Sequence, residues 1–131
     1  MRIAVDTNVL VRAAVRDDAE QTDSATKLMR RAEMVAIAVS SLCEFVWVLC
    51  SVYRFRSDEM AQAIRTLLAA ENVETNRPAA DAGLAILDAG GDFADGVIAY
   101  EGRWLGAETF VSFDKKAVER LKAQGQAARL L

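Results

Sequence analysis

The 131-residue chain contains no histidine, and that absence removes most of the familiar catalytic menu. Ser-His-Asp and Cys-His nucleophilic sites, histidine-based acid–base nucleases and histidine-ligated metals are all excluded. Cysteine is almost as scarce. Cys43 and Cys50 fall on one predicted helix, about 10 Å apart at 1.5 Å rise per residue, which is too far for a disulfide with each other. Without histidine they make a poor zinc set, so both read as core packing. There is one proline, Pro78, and no low-complexity run, repeat or linker. No apolar stretch reaches membrane length, and MRIAVDTNV is too short and too soon broken by Asp6 to serve as a signal h-region. The expected compartment is therefore the cytoplasm, with no membrane partner. Basic residues are not in excess either. A net charge of -3 argues against a general basic surface for nucleic acid, while leaving room for local positive patches or a metal that bridges to phosphate.

What is present describes a compact protein. Hydrophobic residues make up 53% of the chain and charged residues 27%, and the length suits a single domain over 1–131 with a real core. Any chemistry falls to carboxylates, hydroxyls, Lys, Arg, Tyr or a bound metal.

Strand and helix patterns alternate along the chain. Arg2 to Val5 is a short run of strand character that stops at Asp6, before a helix opening at Thr7 to Val15. Residues 23 to 33 carry Ala25, Leu28, Met29 and Ala32 at helical spacing. Met34 to Val39 is continuously apolar, as for a strand covered on both faces, and leads into a helix from Ser41 to about Tyr53 with Ser40 or Ser41 as its N-cap. That helix, SSLCEFVWVLCSVY, is apolar around nearly its whole circumference and is expected to be buried on more than one side, with Glu44 its one carboxylate. Further helices are predicted from Ser57 to about Ala70, from Pro78 to about Asp88, from Asp92 to about Leu105 and from Lys115 to Lys122. Further strands are predicted at Val73 to Thr75, Thr109 to Phe113 and Ala127 to Leu131. Nearly all-apolar strands joined by helix-length connections point to a three-layer α/β/α sandwich around a central parallel sheet of about five strands.

In such sheets, sites form at the carboxyl ends of the strands. Asp6 and Asp114 each end a strand just before a helix, and Glu44 and Asp95 lie in the first turns of helices that start there. Asp92, three residues before Asp95, lies on the same side of its helix start. Each acid also has a structural reading: Asp6 and Asp92 as helix N-caps, Glu44 on a narrow wet strip or paired with an arginine. Two unit charges about 4 Å apart repel by roughly 4 kcal/mol at an effective dielectric of 20, so carboxylates brought together would need a cation. An all-oxygen set without His or Cys suits Mg²⁺ or Mn²⁺, which would acidify a bound water and neutralise charge on a phosphoryl group.

The segments VDTNV, SSLCEFVWVL, DFADGVIAY and SFDKK, in that order, resemble the PIN-domain nucleases. Their order and the chain length look most like the VapC toxins of bacterial toxin–antitoxin pairs. The resemblance covers essentially the whole chain and implies a metal-dependent ribonuclease. By position, Asp6, Glu44, Asp95 and Asp114 match the acidic catalytic and metal-binding set, and Asp92 matches an additional acidic position. Thr7 and Asn8 match the motif around the first acid and would position water or phosphate. Ser112 stands where Thr is common and Gly96 where Ala is common. The resemblance also implies an RNA substrate, an antitoxin whose tail covers the site, and a homodimer. Arg12, Arg16, Lys115 and Lys116 are candidates for RNA contact, on helices that start at the strand ends.

Two other readings remain at this level. An aspartate-based phosphotransfer domain also ends its first strand in Asp, but the haloacid-dehalogenase pattern requires a second Asp where this chain has Asn8, and the paired acids of a receiver domain find no match. A non-catalytic module could keep an acidic cleft to hold a basic partner peptide.

Overall fold

The first sheet is built from three very short strands. In the computed structural model, which describes residues 1–131, β1 is Arg2–Ala4, followed by α1 (Thr7–Ala14), α2 (Ala19–Arg31), β2 (Met34–Ala36), α3 (Val39–Ser51), α4 (Ser57–Ala69) and β3 (Val73–Glu74). Then come α5 (Arg77–Asp88), α6 (Phe93–Trp104), β4 (Phe110–Ser112), α7 (Lys115–Ala123) and β5 (Ala128–Leu130). The chain divides into two compact units, Met1–Asn76 and Arg77–Leu131.

In the first unit the strands pair in parallel in the order β1-β2-β3, with Ile3 opposite Val35 and Val35 opposite Val73. Val35, Ile37 and Val73 are buried, as are Leu10 and Val11 on α1, Leu42, Phe45, Val46 and Leu49 on α3, and Met60 and Ile64 on α4. Polar ties hold the ends. Asn72 donates through Nδ2 to the carbonyls of Met29 (2.8 Å) and Ala32 (2.9 Å), fixing the end of α2 to the entry of β3. The buried Thr22 hydroxyl donates to the Arg12 carbonyl at 2.8 Å, tying α2 to α1.

The second unit has its own parallel pair, β4-β5, with Val111 opposite Arg129. Its core joins Ile86, Ala99 and Leu121, with Phe110 and Ala128 packed against them. The crossing of α5 and α6 is unusually close, and two glycines allow it. A β-carbon on Gly96 would lie 2.3 Å from the Ala82 carbonyl oxygen, and one on Gly83 would lie 2.6 Å from the ring of Phe93. Gly96 is the point at which the two backbones meet.

The expected single sheet of about five strands is corrected to a three-stranded sheet and a separate two-stranded sheet. Apolar runs report that strands exist, but not whose N–H and C=O groups they meet, and two- to three-residue strands specify few ladder bonds. The 34–39 run is also shorter as a strand than expected, because α3 starts at Val39, with Ala38 at its N-cap and no side-chain cap. The helix at 23–33 starts earlier than its apolar spacing suggests, since Asp18 caps it by accepting from the Gln21 amide at 3.1 Å. The most informative correction is α3, which is not buried all round. Ser40, Glu44, Trp47 and Ser51 are exposed and share one helical face, Trp47 being 65% exposed. Glu44 thus lies on a wet strip and pays no burial cost. Apolar composition concealed the stripe because its members include a tryptophan and two small serines.

Candidate acidic site

The acids fall into two groups, each described within its own unit. In the first, the chain leaves β1 through Val5, whose amide donates to the Ala36 carbonyl at 3.3 Å, and turns into α1 at Asp6. Asp6 has extended backbone (φ -90°, ψ 176°), and its Oδ1 accepts from the Val9 amide at 3.2 Å. It is a helix N-cap, and it is exposed. A carboxylate has two oxygens and about four acceptor sites, so capping orients the group without using it up. Thr7 is buried and Asn8 exposed, the latter on a groove lined also by Val9, Arg12, Gln21 and Leu28.

Arg12 and Arg16 lie further along the same segment. The Arg12 guanidinium donates to Asp17 Oδ1 at 2.8 Å and to the Tyr53 hydroxyl at 3.0 Å, and that hydroxyl donates to Asp17 Oδ2 at 3.2 Å. This closed triangle ties the end of α1 to the end of α3, and the hydrogen bond that Arg12 donates to Tyr53, with the nearby Asp17 charge, holds Arg12 above its ordinary pKa. Its charge is engaged locally. Arg16 follows the end of α1 and lines a groove of about 610 Å³ with Ala13, Met29, Gln62 and Leu67.

In the second unit, three acids lie within one another's field. Asp92 caps α6, accepting from the Ala94 amide at 3.2 Å. Asp95 follows one turn inside, on the same side of the helix start. Asp114 caps α7, accepting from the amides of Lys116 (3.0 Å) and Ala117 (3.2 Å), while its own amide donates to the Ser112 hydroxyl at 2.9 Å. Ser112 thereby braces the turn that carries Asp114. Lys115 and Lys116 are exposed at the start of α7.

Asp95 differs from its neighbours. It is the partly buried member, and its carboxyl is pushed above the ordinary value, first by burial and then by the negative charges of Asp92 and Asp114, with Arg120 pulling the other way. Its side chain belongs to none of the chain's ion pairs. Proton binding relieves this crowding, and so would a cation. No group of three or more Cys, Asp or Glu side chains is gathered closely enough to hold a metal ion as the chain stands.

The sequence profile of the PIN domain matches residues 3–123, from β1 into the last turn of α7. The chain belongs to the PIN-domain family. No curated protein matches it individually. Membership places this PIN domain in a superfamily of nucleases, and gives its acids a family context that capping alone lacks. No helix is long and apolar enough to cross a membrane.

Sequence reasoning passed over Arg120. It lies near the end of α7, and what sets it apart is its packing against Gly91, a contact that no periodicity announces.

Proposed function

We propose that this PIN domain is a metal-dependent endoribonuclease, and that it is the VapC-like toxin of a type II toxin–antitoxin pair. The observation that carries the nuclease reading is Asp95, a half-buried carboxylate whose charged form is disfavoured first by burial and then by the charges of Asp92 and Asp114, left without an ion pair in a chain of a nuclease superfamily. Crowding of this kind is a standing cost unless a bound cation offsets it.

The donor chemistry suits Mg²⁺ or Mn²⁺: every candidate ligand is a carboxylate oxygen, and no histidine competes. Asp95, Asp114 and Asp92 would hold the ion in the second unit. Asp6 and Glu44 are proposed as further members of the set on the sequence pattern alone. Bound there, a divalent ion would acidify a water and polarise the phosphoryl group. The protein's own part is orientation. Amide donors at the starts of α6 and α7 fix one oxygen of Asp92 and of Asp114, leaving the other oxygen of each directed by that bond. Ser112, Thr7 and Asn8 would position water or phosphate, and Lys115 and Lys116 would meet the RNA backbone. Asp92, Asp95 and Asp114 are not gathered closely enough to hold an ion in the structure as it stands, so binding would require these carboxylates to draw together.

The test is cleavage of single-stranded RNA in Mg²⁺ or Mn²⁺ by the wild type and by Asp95→Asn and Asp114→Asn. Loss in both variants with the fold retained supports the reading; full cleavage by both overturns it. The toxin role requires a cognate antitoxin and, by the same resemblance, a homodimer. Growth arrest on expression, relieved by the product of the adjacent open reading frame, would support it, with light scattering reporting the dimer.

One observation favours a second reading. Asp6, Asp92 and Asp114 all have structural work as caps, as a non-catalytic module that binds a basic partner peptide would allow. Tight partner binding with no cleavage of any RNA would select it.

A further inference from the structure

Arg120 sits beside the acids of the second unit without being spent on them. Its side chain lies across Gly91: a β-carbon there would be 2.7 Å from Arg120 Cδ and 3.2 Å from Nε. Gly91 immediately precedes Asp92, the cap of α6, so the stem of Arg120 is laid over the entry to the helix that carries Asp92 and Asp95. The residue is only partly exposed, and Asp95 feels its charge. Yet Arg120 forms no ion pair of the kind that Arg12 makes with Asp17 or Arg56 with Asp58.

That combination is informative. An arginine present only to neutralise neighbouring carboxylates would bond one of them, as Arg12 bonds Asp17 at 2.8 Å in this same protein. Arg120 instead has a stem fixed by packing and a guanidinium with its donors open. Lys115 and Lys116 are exposed point charges on flexible stems, whereas Arg120 carries a planar fork that matches two oxygens of one phosphate. A phosphodiester approaching three carboxylates is repelled by them, and a positioned cation at the same helix entry offsets that repulsion.

We propose that Arg120 is the phosphate anchor of the acidic site, its guanidinium gripping the non-bridging oxygens of an RNA phosphodiester presented to Asp92, Asp95 and Asp114. The inference rests on the nuclease reading and deepens it, by naming the residue that receives the substrate's charge.

The experiment compares wild type, Arg120→Ala and Arg120→Lys. Steady-state cleavage of a short single-stranded oligoribonucleotide in Mn²⁺ is measured over a range of salt, and Mn²⁺ affinity is measured separately by calorimetry without RNA. Arg120→Ala is expected to lose about 10²-fold in kcat/KM, the scale of one charge-stabilising donor, with KM raised and the salt slope reduced by about 0.7 for one lost single-strand phosphate contact. Arg120→Lys is expected to keep the salt slope while losing part of the affinity, and it serves as the readable variant if the alanine protein does not fold. Mn²⁺ affinity in Arg120→Ala is expected to hold or tighten, because a cation has been removed from beside the ligands. Unchanged KM and salt slope in Arg120→Ala would overturn the proposal, and so would weakened Mn²⁺ binding, which would mark Arg120 as a support for the acids. A wild type that neither binds Mn²⁺ nor cleaves RNA would instead bring down the nuclease reading, so the two failures are distinguishable.

Discussion

The two units treat their charged groups in opposite ways. In the first, Asp6 and Glu44 are exposed, and the arginine that could have stayed open, Arg12, is closed into a triangle with Asp17 and Tyr53. In the second, Asp95 is half-buried among like charges, and Arg120 stays outside every ion pair. Folding alone favours the first arrangement. The second is frustrated in the absence of a ligand, and sites that bind charge are where such frustration is expected. The contrast ties the first unit's network chiefly to stability and makes the second unit's cluster the place to test the proposed function.

The sharpest way to break this contrast is the same substitution made on each side. Asp95→Asn is expected to lower metal-dependent RNA cleavage by about 10³-fold or more, the scale of losing a key electrostatic group, and yet to raise the melting temperature near neutral pH. The sign follows from linkage. The folded-state value of Asp95 lies above its ordinary 3.8, so the folded protein binds this proton more readily than the unfolded chain does. Its contribution to stability therefore falls as pH rises from the ordinary value through the raised one, and the full penalty is present above that window. The gain in melting temperature should be largest near pH 7 and vanish below the ordinary Asp range. Thermal scans of both proteins across pH check this; a variant less stable than wild type at pH 7 would contradict it. Asp6→Asn is the counterpart. Asn caps a helix about as well as Asp, so stability should move by less than about 0.5 kcal/mol while cleavage falls.

A purely structural perturbation of the second unit comes next in size. Gly96→Ala drives a β-carbon against the Ala82 carbonyl and should cost about 2–4 kcal/mol, read by denaturant unfolding. A cost below about 0.5 kcal/mol would show that the close crossing of α5 and α6 is not needed to carry Asp92 and Asp95. The smallest effect is expected in the first unit. Tyr53→Phe removes the hydroxyl that bridges Arg12 and Asp17 and should cost about 1 kcal/mol with KM for RNA unchanged. A rise in KM would return Arg12 to the role of an RNA contact.

How much of this was legible in the sequence varies from residue to residue. The alternation of strand and helix was legible, because apolar runs at 2–5, 34–39 and 109–113 have strand length and the segments between them have helical period. Sheet partners were not, since very short strands carry no register information beyond their apolarity. For the candidate acids, the capping reading is the one the structure shows: Asp6, Asp92 and Asp114 all cap helices, and because each keeps an oxygen free of its cap, capping does not exclude a ligand role. The wet strip offered for Glu44 was legible, but its breadth was not, because an apolar count does not register the exposed Trp47 on the same face. The need for Gly96 and the setting of Arg120 were invisible, as both depend on close approaches between residues distant in the chain.

The central claim is that Asp95 and its neighbours are arranged at a cost that a divalent cation offsets. The most direct test is the melting temperature of wild type and Asp95→Asn during titration with Mn²⁺. A saturable rise is expected in the wild type, from below the Asp95→Asn value to at least that value, with little response in the variant. No response in either protein, or the same rise in both, would contradict the account.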